Sequence, residues 1–300
     1  MEEFKSGFVT LVGRTNVGKS TLLNALAKEK VAITANKVQT TRTAIKAILN
    51  DEKYQIIVTD TPGIHRPKTK LGETMVDTAF TMFSEVDVIL FLIEATSDEI
   101  GRGDRRILDK IIESKKPCIL VINKIDLVQK DKLLNLIKLY SQEYDFKAVV
   151  PISASKDDGT EIIVNELVKL LPVGPKYYAD DEYTDQTMRQ IAEEIIREKA
   201  LKLLDDEVPH GIYVEVESFK NRTTTKGQDI YDIDATIYCL RESHKGIIIG
   251  KGGNLLKRIA SYARQDLEKM LDTKVNLKVW VKVKEDWLEK DNIVNKFKLK

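Results

Sequence analysis

Gly13-Arg14-Thr15-Asn16-Val17-Gly18-Lys19-Ser20, followed by Thr21, lies between an apolar run, Phe8 to Val12, and a helical pattern, Ser20 to Lys28. The spacing is G-x-x-x-x-G-K-[ST], and its place between a strand and a helix is the context that gives the match meaning. Glycines let such a loop wrap phosphate groups with its backbone N–H groups, while the helix N-terminus adds positive potential. Lys19 is suited to neutralise β- and γ-phosphates and Ser20 to ligate Mg2+.

Working outward, further β-rich runs occur at Tyr54 to Thr59, Val86 to Ile93, Cys118 to Asn123 and Val149 to Ile152. Helical patterns separate them, at Thr74 to Ser84, Arg105 to Ser114, Asp131 to Tyr144 and Glu161 to Leu171. Near-continuous apolar strands alternating with helices predict a parallel sheet covered on both faces. Ala44 to Leu49 is joined to Tyr54 by only Asn50-Asp51-Glu52-Lys53, a hairpin length that adds one antiparallel edge strand. The expectation is a six-stranded α/β sandwich.

Three more motifs fall at strand ends, where open α/β sheets bind ligands. Asp60-Thr61-Pro62-Gly63 offers a carboxylate for Mg2+ and, at Gly63, an unobstructed N–H for a γ-phosphate. Asn123-Lys124-Ile125-Asp126 places a carboxylate that accepts from guanine N1–H and its exocyclic amine, whereas adenine has no matching donor pair. Ser153-Ala154-Ser155 stands where a backbone N–H meets the guanine O6. GTP is therefore favoured over ATP. In the polar stretch Gln39-Thr40-Thr41-Arg42-Thr43, a threonine is expected to close over Mg2+ and the γ-phosphate; Thr41 is the first choice and Thr40 the alternative. Thr40, Thr41, Asp60, Gly63 and Ile64 are the switch residues on this reading.

Pro172-Val173-Gly174-Pro175 ends the alternating pattern. The expected division is 1–172 for the nucleotide-binding module, 173–184 for a linker and 185–300 for a second module with a C-terminal tail. That module reads as a helix, Gln186 to Asp205, two strands, Gly211 to Phe219 and Ile230 to Leu240, a glycine-interrupted helix pair around Gly250-Lys251-Gly252-Gly253, and a strand, Val275 to Val283. The order is α-β-β-α-α-β. From Arg241 to Lys300 there are 15 Lys and Arg against 8 Asp and Glu, so the basic end of a chain of net charge +1 is the C-terminal one.

Ile247-Ile248-Ile249-Gly250-Lys251-Gly252-Gly253 in this order resembles the GxxG loop of a type II KH domain, an α+β fold whose glycines admit nucleic-acid phosphates while apolar surface beside them receives bases. The resemblance implies RNA contacts for Lys245, Gly246, Ile249, Gly250, Lys251, Gly252, Gly253, Lys257 and Arg258. The nucleotide module resembles the translation-factor-like GTPases, with a Ras-like P-loop fold. A GTPase joined to a KH module within 300 residues is similar, over essentially its whole length, to the bacterial Era family. Gln39 to Arg42, Glu194 to Lys199 and Trp280 to Lys284 also stand where that family has similar runs. This resemblance implies binding to small-subunit ribosomal RNA near its 3′ end, assistance to assembly of the small ribosomal subunit, and some peripheral association with the inner membrane. A GTP-sensing membrane or cell-cycle protein, using the KH fold to contact proteins, is the competing reading. A tRNA-modifying GTPase would need catalytic equipment that this length leaves no room for.

Ile64 stands where Ras-like switches place the glutamine that orients attacking water, so slow intrinsic hydrolysis is expected. In related GTPases an asparagine at the position of Asn16 helps hold K+ against the phosphates, which makes K+ a candidate second cation. His65 and Arg66 read as solvated loop residues.

The bulk composition fits this picture. Hydrophobic content of 42% and charged content of 32% describe a soluble chain that folds, and 300 residues suit two modules. Cys118 and Cys239, each in an apolar run, read as core thiols of a reducing compartment rather than a disulfide. With no signal-like N-terminus and no run long enough to span a bilayer, a cytoplasmic monomer is expected.

Overall fold

Aliphatic and β-branched runs form the strands β1 (Lys5–Val12), β2 (Ile45–Asn50), β3 (Tyr54–Asp60), β4 (Val88–Glu94), β5 (Cys118–Asn123) and β6 (Ala148–Pro151) of the computed structural model. The structure describes residues 3–35, 37, 40–64, 69–225, 227–290 and 294. The strands make one sheet in the order β2-β3-β1-β4-β5-β6. β1 pairs in parallel with β3 and β4, β5 continues the parallel set to β6, and β2 alone runs antiparallel, against β3. The β2–β3 turn is closed by Asp51 N–H donating to the Tyr54 carbonyl at 2.9 Å and by Lys53 N–H donating to Asp51 Oδ1 at 3.0 Å.

Helices cover both faces. On one, α1 (Lys19–Ala27) and α5 (Thr160–Leu170) bury Leu22, Leu23, Ile163 and Leu167 against Val9, Leu11 and Leu90. On the other lie α2 (Lys70–Glu85), α3 (Arg102–Ser114) and α4 (Lys130–Ser141), which bury Phe83, Ile107, Leu108 and Tyr140 against Ile89 and Phe91. Successive strand residues serve opposite cores, as the two-residue period of a strand requires. α2 starts earlier than its apolar pattern predicts because the Thr69 side chain caps it, accepting from Gly72 N–H at 3.1 Å.

The described residues divide into two compact units. The first holds 3–32 and 41–185. Its last stretch, expected as a linker, lies along β1 to β3: Tyr177 and Tyr178 N–H donate to the buried Gln55 Oε1 at 2.6 and 3.0 Å, and Thr184 Oγ1 donates to the Lys46 carbonyl at 2.8 Å.

The second unit, Ile33–Thr40 with Gln186–Val294, has the expected element order. A capping box between Thr187 and Gln190 starts α6 (Met188–Leu203). β7 (Tyr213–Thr223) pairs antiparallel with β8 (Asp229–Cys239), which pairs in parallel with β9 (Lys274–Val283). Ile191, Ile195 and Ala200 of α6, Ile248 of α7 (Glu242–Ile249) and Ile259, Ala263 and Leu267 of α8 (Asn254–Leu271) enclose one core with Ile233, Ala235 and Ile237. Ile33 joins that core, Thr34 N–H donates to Glu198 at 3.2 Å, and Arg197 donates to the Thr40 carbonyl. Glu198 is fully buried but paired with Lys199 at 3.2 Å and Lys202 at 3.0 Å, which offsets its loss of hydration.

Leu267 has no exposed surface. Leu267→Ala is expected to destabilise the second unit by about 2–5 kcal/mol, read as a lower denaturant midpoint with an unchanged slope; an unchanged midpoint would place this helix face outside the core.

Candidate nucleotide site and glycine-loop surface

The carboxyl ends of β1, β3, β4, β5 and β6 bring the predicted motifs to one edge of the first sheet. Two glycines show why a side chain has no place there. Gly18 has φ +104°, and a Cβ on it would stand 2.2 Å from Asn123 Nδ2. A Cβ on Gly63 would stand 2.9 Å from the Thr15 backbone. Ile64 N–H also donates to the Gly13 carbonyl at 3.1 Å, which joins the Asp60 loop to the phosphate loop.

Asn123 fastens three loops together. Its Nδ2 donates to the Val17 carbonyl at 2.8 Å, and its Oδ1 accepts from Lys124 N–H at 2.8 Å and Ala154 N–H at 3.0 Å. Lys124 Nζ donates to the Asn16 carbonyl and to Glu94 Oε1, both at 3.0 Å. Asp126 faces Ser153, whose hydroxyl donates to Oδ1 at 2.8 Å, and Lys156, 3.4 Å away. That hydroxyl first, and the lysine after it, hold the Asp126 carboxyl below the usual carboxylate range, so it is ionised and ready to accept two donors.

At the cation position, Ser20 Oγ donates to Asp60 Oδ2 at 2.6 Å and lies 2.8 Å from Thr41 Oγ1, which itself donates to Oδ2 at 3.2 Å. Asp60 Oδ1 is buried without a hydrogen-bond partner. Two hydroxyls and a carboxylate with a spare buried oxygen are a hard-oxygen set that suits Mg2+. Burial pushes the Asp60 carboxyl up, opposed by Lys19 and the two hydroxyls; burial likewise lowers Lys19, opposed by Asp60. Lys19 Nζ donates to the Gly13 and Arg14 carbonyls at 3.2 and 2.9 Å, inside the loop.

Of the two candidate threonines, Thr41 is the one at Asp60. The Thr40 hydroxyl donates to the Ala35 and Lys37 carbonyls instead. Ile64 is 3% exposed and belongs to the core with Val12 and Phe83, so its side chain orients no water. Gln39, His65 and Arg66 lie outside the described residues. In Ser153-Ala154-Ser155, the Ala154 N–H donates to Asn123 Oδ1. Sequence spacing did not disclose Glu94, Lys156 or Asp104; the last pairs with Arg14 at 3.0 Å. The only local signals were an acid ending β4 and an acid in the first turn of α3.

In the second unit, Gly250, Gly252 and Gly253 all have positive φ, and around Gly252 and Gly253 a Cβ would meet no atom within 4 Å. Backbone there is open to a ligand as well as left-handed. Lys251, Lys257 and Arg258 are exposed, and of the Ile247-Ile248-Ile249 run Ile247 is 50% exposed, Ile249 half-buried and Ile248 buried, so the exposed apolar surface of the run is largely that of Ile247. No described helix is long and apolar enough to cross a membrane, and both cysteines are free and buried.

Comparison with known proteins gives a match to each unit. Residues 8–124 match the model of a family described as 50S ribosome-binding GTPase, and residues 207–288 match that of the KH domain. GTPase Era of Caldanaerobacter subterraneus subsp. tengcongensis is 54% identical over 293 residues, 98% of this chain and 97% of that protein. GTPase Era of Ruminiclostridium cellulolyticum is 52% identical over 291 residues, 97% and 96% of the two chains. Among solved structures, Era bound to MgGDPNP and nucleotides 1506-1542 of 16S ribosomal RNA superposes with a TM-score of 0.93 at 40% identity, covering 98% of each chain. A variant of Aquifex aeolicus Era bound to GDP and AlF4− gives the same score and identity, over 98% and 99% of the two chains.

If Asp60 holds Mg2+ it must be ionised to do so, and the Mg2+ concentration that half-activates hydrolysis should then rise by about tenfold per pH unit below the Asp60 pKa. With that pKa raised by burial, the increase should begin above the pH at which an exposed aspartate protonates. A half-activating concentration that stays flat through that range would contradict the buried-carboxylate account.

Proposed function

The chain belongs to the Era family of GTPases, and from that membership we propose that it hydrolyses GTP to time the engagement of its KH unit with 16S ribosomal RNA, near the RNA's 3′ end, during assembly of the small ribosomal subunit. The observation that carries the nucleotide half is the Asp126 carboxyl group beside Ser153, just beyond the end of β5, which suits the two donors of guanine and has no counterpart for adenine. The RNA half is supported by the open, left-handed glycines at Gly252 and Gly253 between exposed basic side chains.

In this reading the residues of 1–172 serve the nucleotide and those of 185–300 the RNA. Backbone N–H groups from Gly13 to Thr21 cradle the phosphates, and Lys19 moves its buried charge onto the β- and γ-oxygens. Mg2+, held by Ser20, Thr41 and Asp60, supplies charge compensation on the transferring phosphoryl group. Gly63 presents its N–H to the γ-phosphate and, with Thr41, senses its departure. Buried Ile64 leaves hydrolysis without a glutamine to orient water, so the intrinsic rate is slow. Asn16, in left-handed backbone at φ 66°, is the position from which K+ is held against the developing charge. The same reading, by likeness to the family, takes the protein as a cytoplasmic monomer with peripheral membrane association.

The test uses purified full-length protein and a single-stranded oligoribonucleotide of the 16S rRNA 3′ end. GTP should displace bound fluorescent GDP while ATP does not, and the oligonucleotide should bind more weakly as salt is raised. Gly252→Asp should weaken it by at least about tenfold, about 1.4 kcal/mol. Equal uptake of ATP, or RNA affinity indifferent to Gly252→Asp, would overturn the corresponding half. Hydrolysis should be faster in K+ than in Na+, with Asn16→Ala removing the difference; equal turnover in all four combinations would remove K+ from the mechanism.

A further inference from the structure

Arg14 occupies the first variable position of the phosphate loop, yet its side chain belongs to α3. Its Nε lies 3.1 and 3.0 Å from Oδ1 and Oδ2 of Asp104, and its terminal nitrogen donates to Ser97 Oγ at 3.3 Å. The aliphatic stem crosses α3 at Gly103, where a Cβ would stand 2.8 Å from Arg14 Cδ. Asp104 has no exposed surface, and Tyr140 of α4 lies buried beside the same carboxylate. Two structural explanations of Asp104 fall short. An acid in the first turn of a helix complements its dipole, but does so from the surface without complete burial. Filling the core beside Ile107, Leu108 and Ile111 would be better served by an apolar residue, because an ion pair of this kind offsets its own desolvation at best.

The turn that Arg14 opens has little freedom of its own to rely on. Asn16 is a non-glycine residue in left-handed backbone, and its carbonyl accepts from Lys124, itself paired with Glu94. The stretch Arg14 to Asn16 is thus gripped at both ends by charged groups standing outside the loop, one on α3 and one at the end of β4 and β5.

We infer that Asp104 is a positioning residue of the GTPase site: through the Arg14 guanidinium it holds the outer turn of the phosphate loop in the shape that receives the β- and γ-phosphates, while taking no part in reading the base. The inference rests on the pocket being the GTPase site, and wild-type hydrolysis in the same assay reports on that separately. Asp104→Asn keeps the size of the side chain and one acceptor for Arg14 but removes the charge. Its kcat at saturating GTP and Mg2+ should fall by about tenfold and its release of fluorescent GDP should quicken by about tenfold, with the preference for GTP over ATP unchanged. Arg14→Gln should reproduce both effects from the other side of the pair, and the double variant should be no worse than either single one. Arg105→Ala, which breaks only the exposed pair with Glu143 one residue further along α3, should leave both rates at wild-type values. Wild-type kcat and release in Asp104→Asn, even with a lowered melting temperature, would reduce the pair to a pin for α3 and overturn the inference. So would effects that add in the double variant. Should Asp104→Asn fail to fold, Arg14→Gln alone decides by the same two rates.

Discussion

The side-chain amide of Asn123 is the constraint on which the nucleotide site rests. It spends both of its functional groups on backbone, one carbonyl from the phosphate loop and two N–H groups from the loops after β5 and β6. It is almost fully buried, so none of these bonds competes with water, and a substitution that removed one partner would leave the others unsatisfied in the interior. Gly18 completes the constraint: only a residue without a Cβ lets the phosphate loop approach this amide. The phosphate loop and the loops after β5 and β6 are therefore held in place by one shared element.

Around that frame the protein buries charge that it does not fully neutralise. Lys19 and Asp60 are both pushed by desolvation toward their neutral forms, each partly restored by the other. Such a pair costs stability in isolation, and on the proposed reading the cost would be offset by a ligand that brings opposite charges to both: phosphate oxygens for the ammonium and Mg2+ for the carboxylate. Asp126 is the contrasting case, a carboxylate near the surface that the Ser153 hydroxyl keeps ionised. Two acids at neighbouring strand ends thus differ in chemistry because one is buried and the other is solvated and hydrogen-bonded.

The second unit offers shape and charge together. Its glycine turn exposes backbone in a conformation that other residues adopt only under strain, and the basic side chains beside it give nucleic-acid phosphates a reason to approach. The same unit takes in Ile33–Thr40, a stretch from between α1 and β2, whose Thr34 amide and Thr40 carbonyl end on Glu198 and Arg197. Arg197 and Glu198, in the Glu194 to Lys199 run that stands out in the sequence, therefore bond to backbone from far earlier in the chain.

What could be read from the sequence was what local spacing encodes: the phosphate loop between strand and helix, the hairpin that makes β2 antiparallel, the α-β-β-α-α-β order and the Asp126 carboxylate just beyond the end of β5. Each depends on backbone periodicity or on residue types within a few positions of one another. Which of Thr40 and Thr41 lies at Asp60, the burial of Ile64 and the partners Glu94, Lys156 and Asp104 were decided only by the tertiary structure. Arg14 and Asp104 are 90 positions apart, and whether they meet depends on which strand neighbours which and on where α3 begins its first turn. Spacing along a chain specifies the conformation of a segment, but the distance between segments follows from how their apolar faces are buried together.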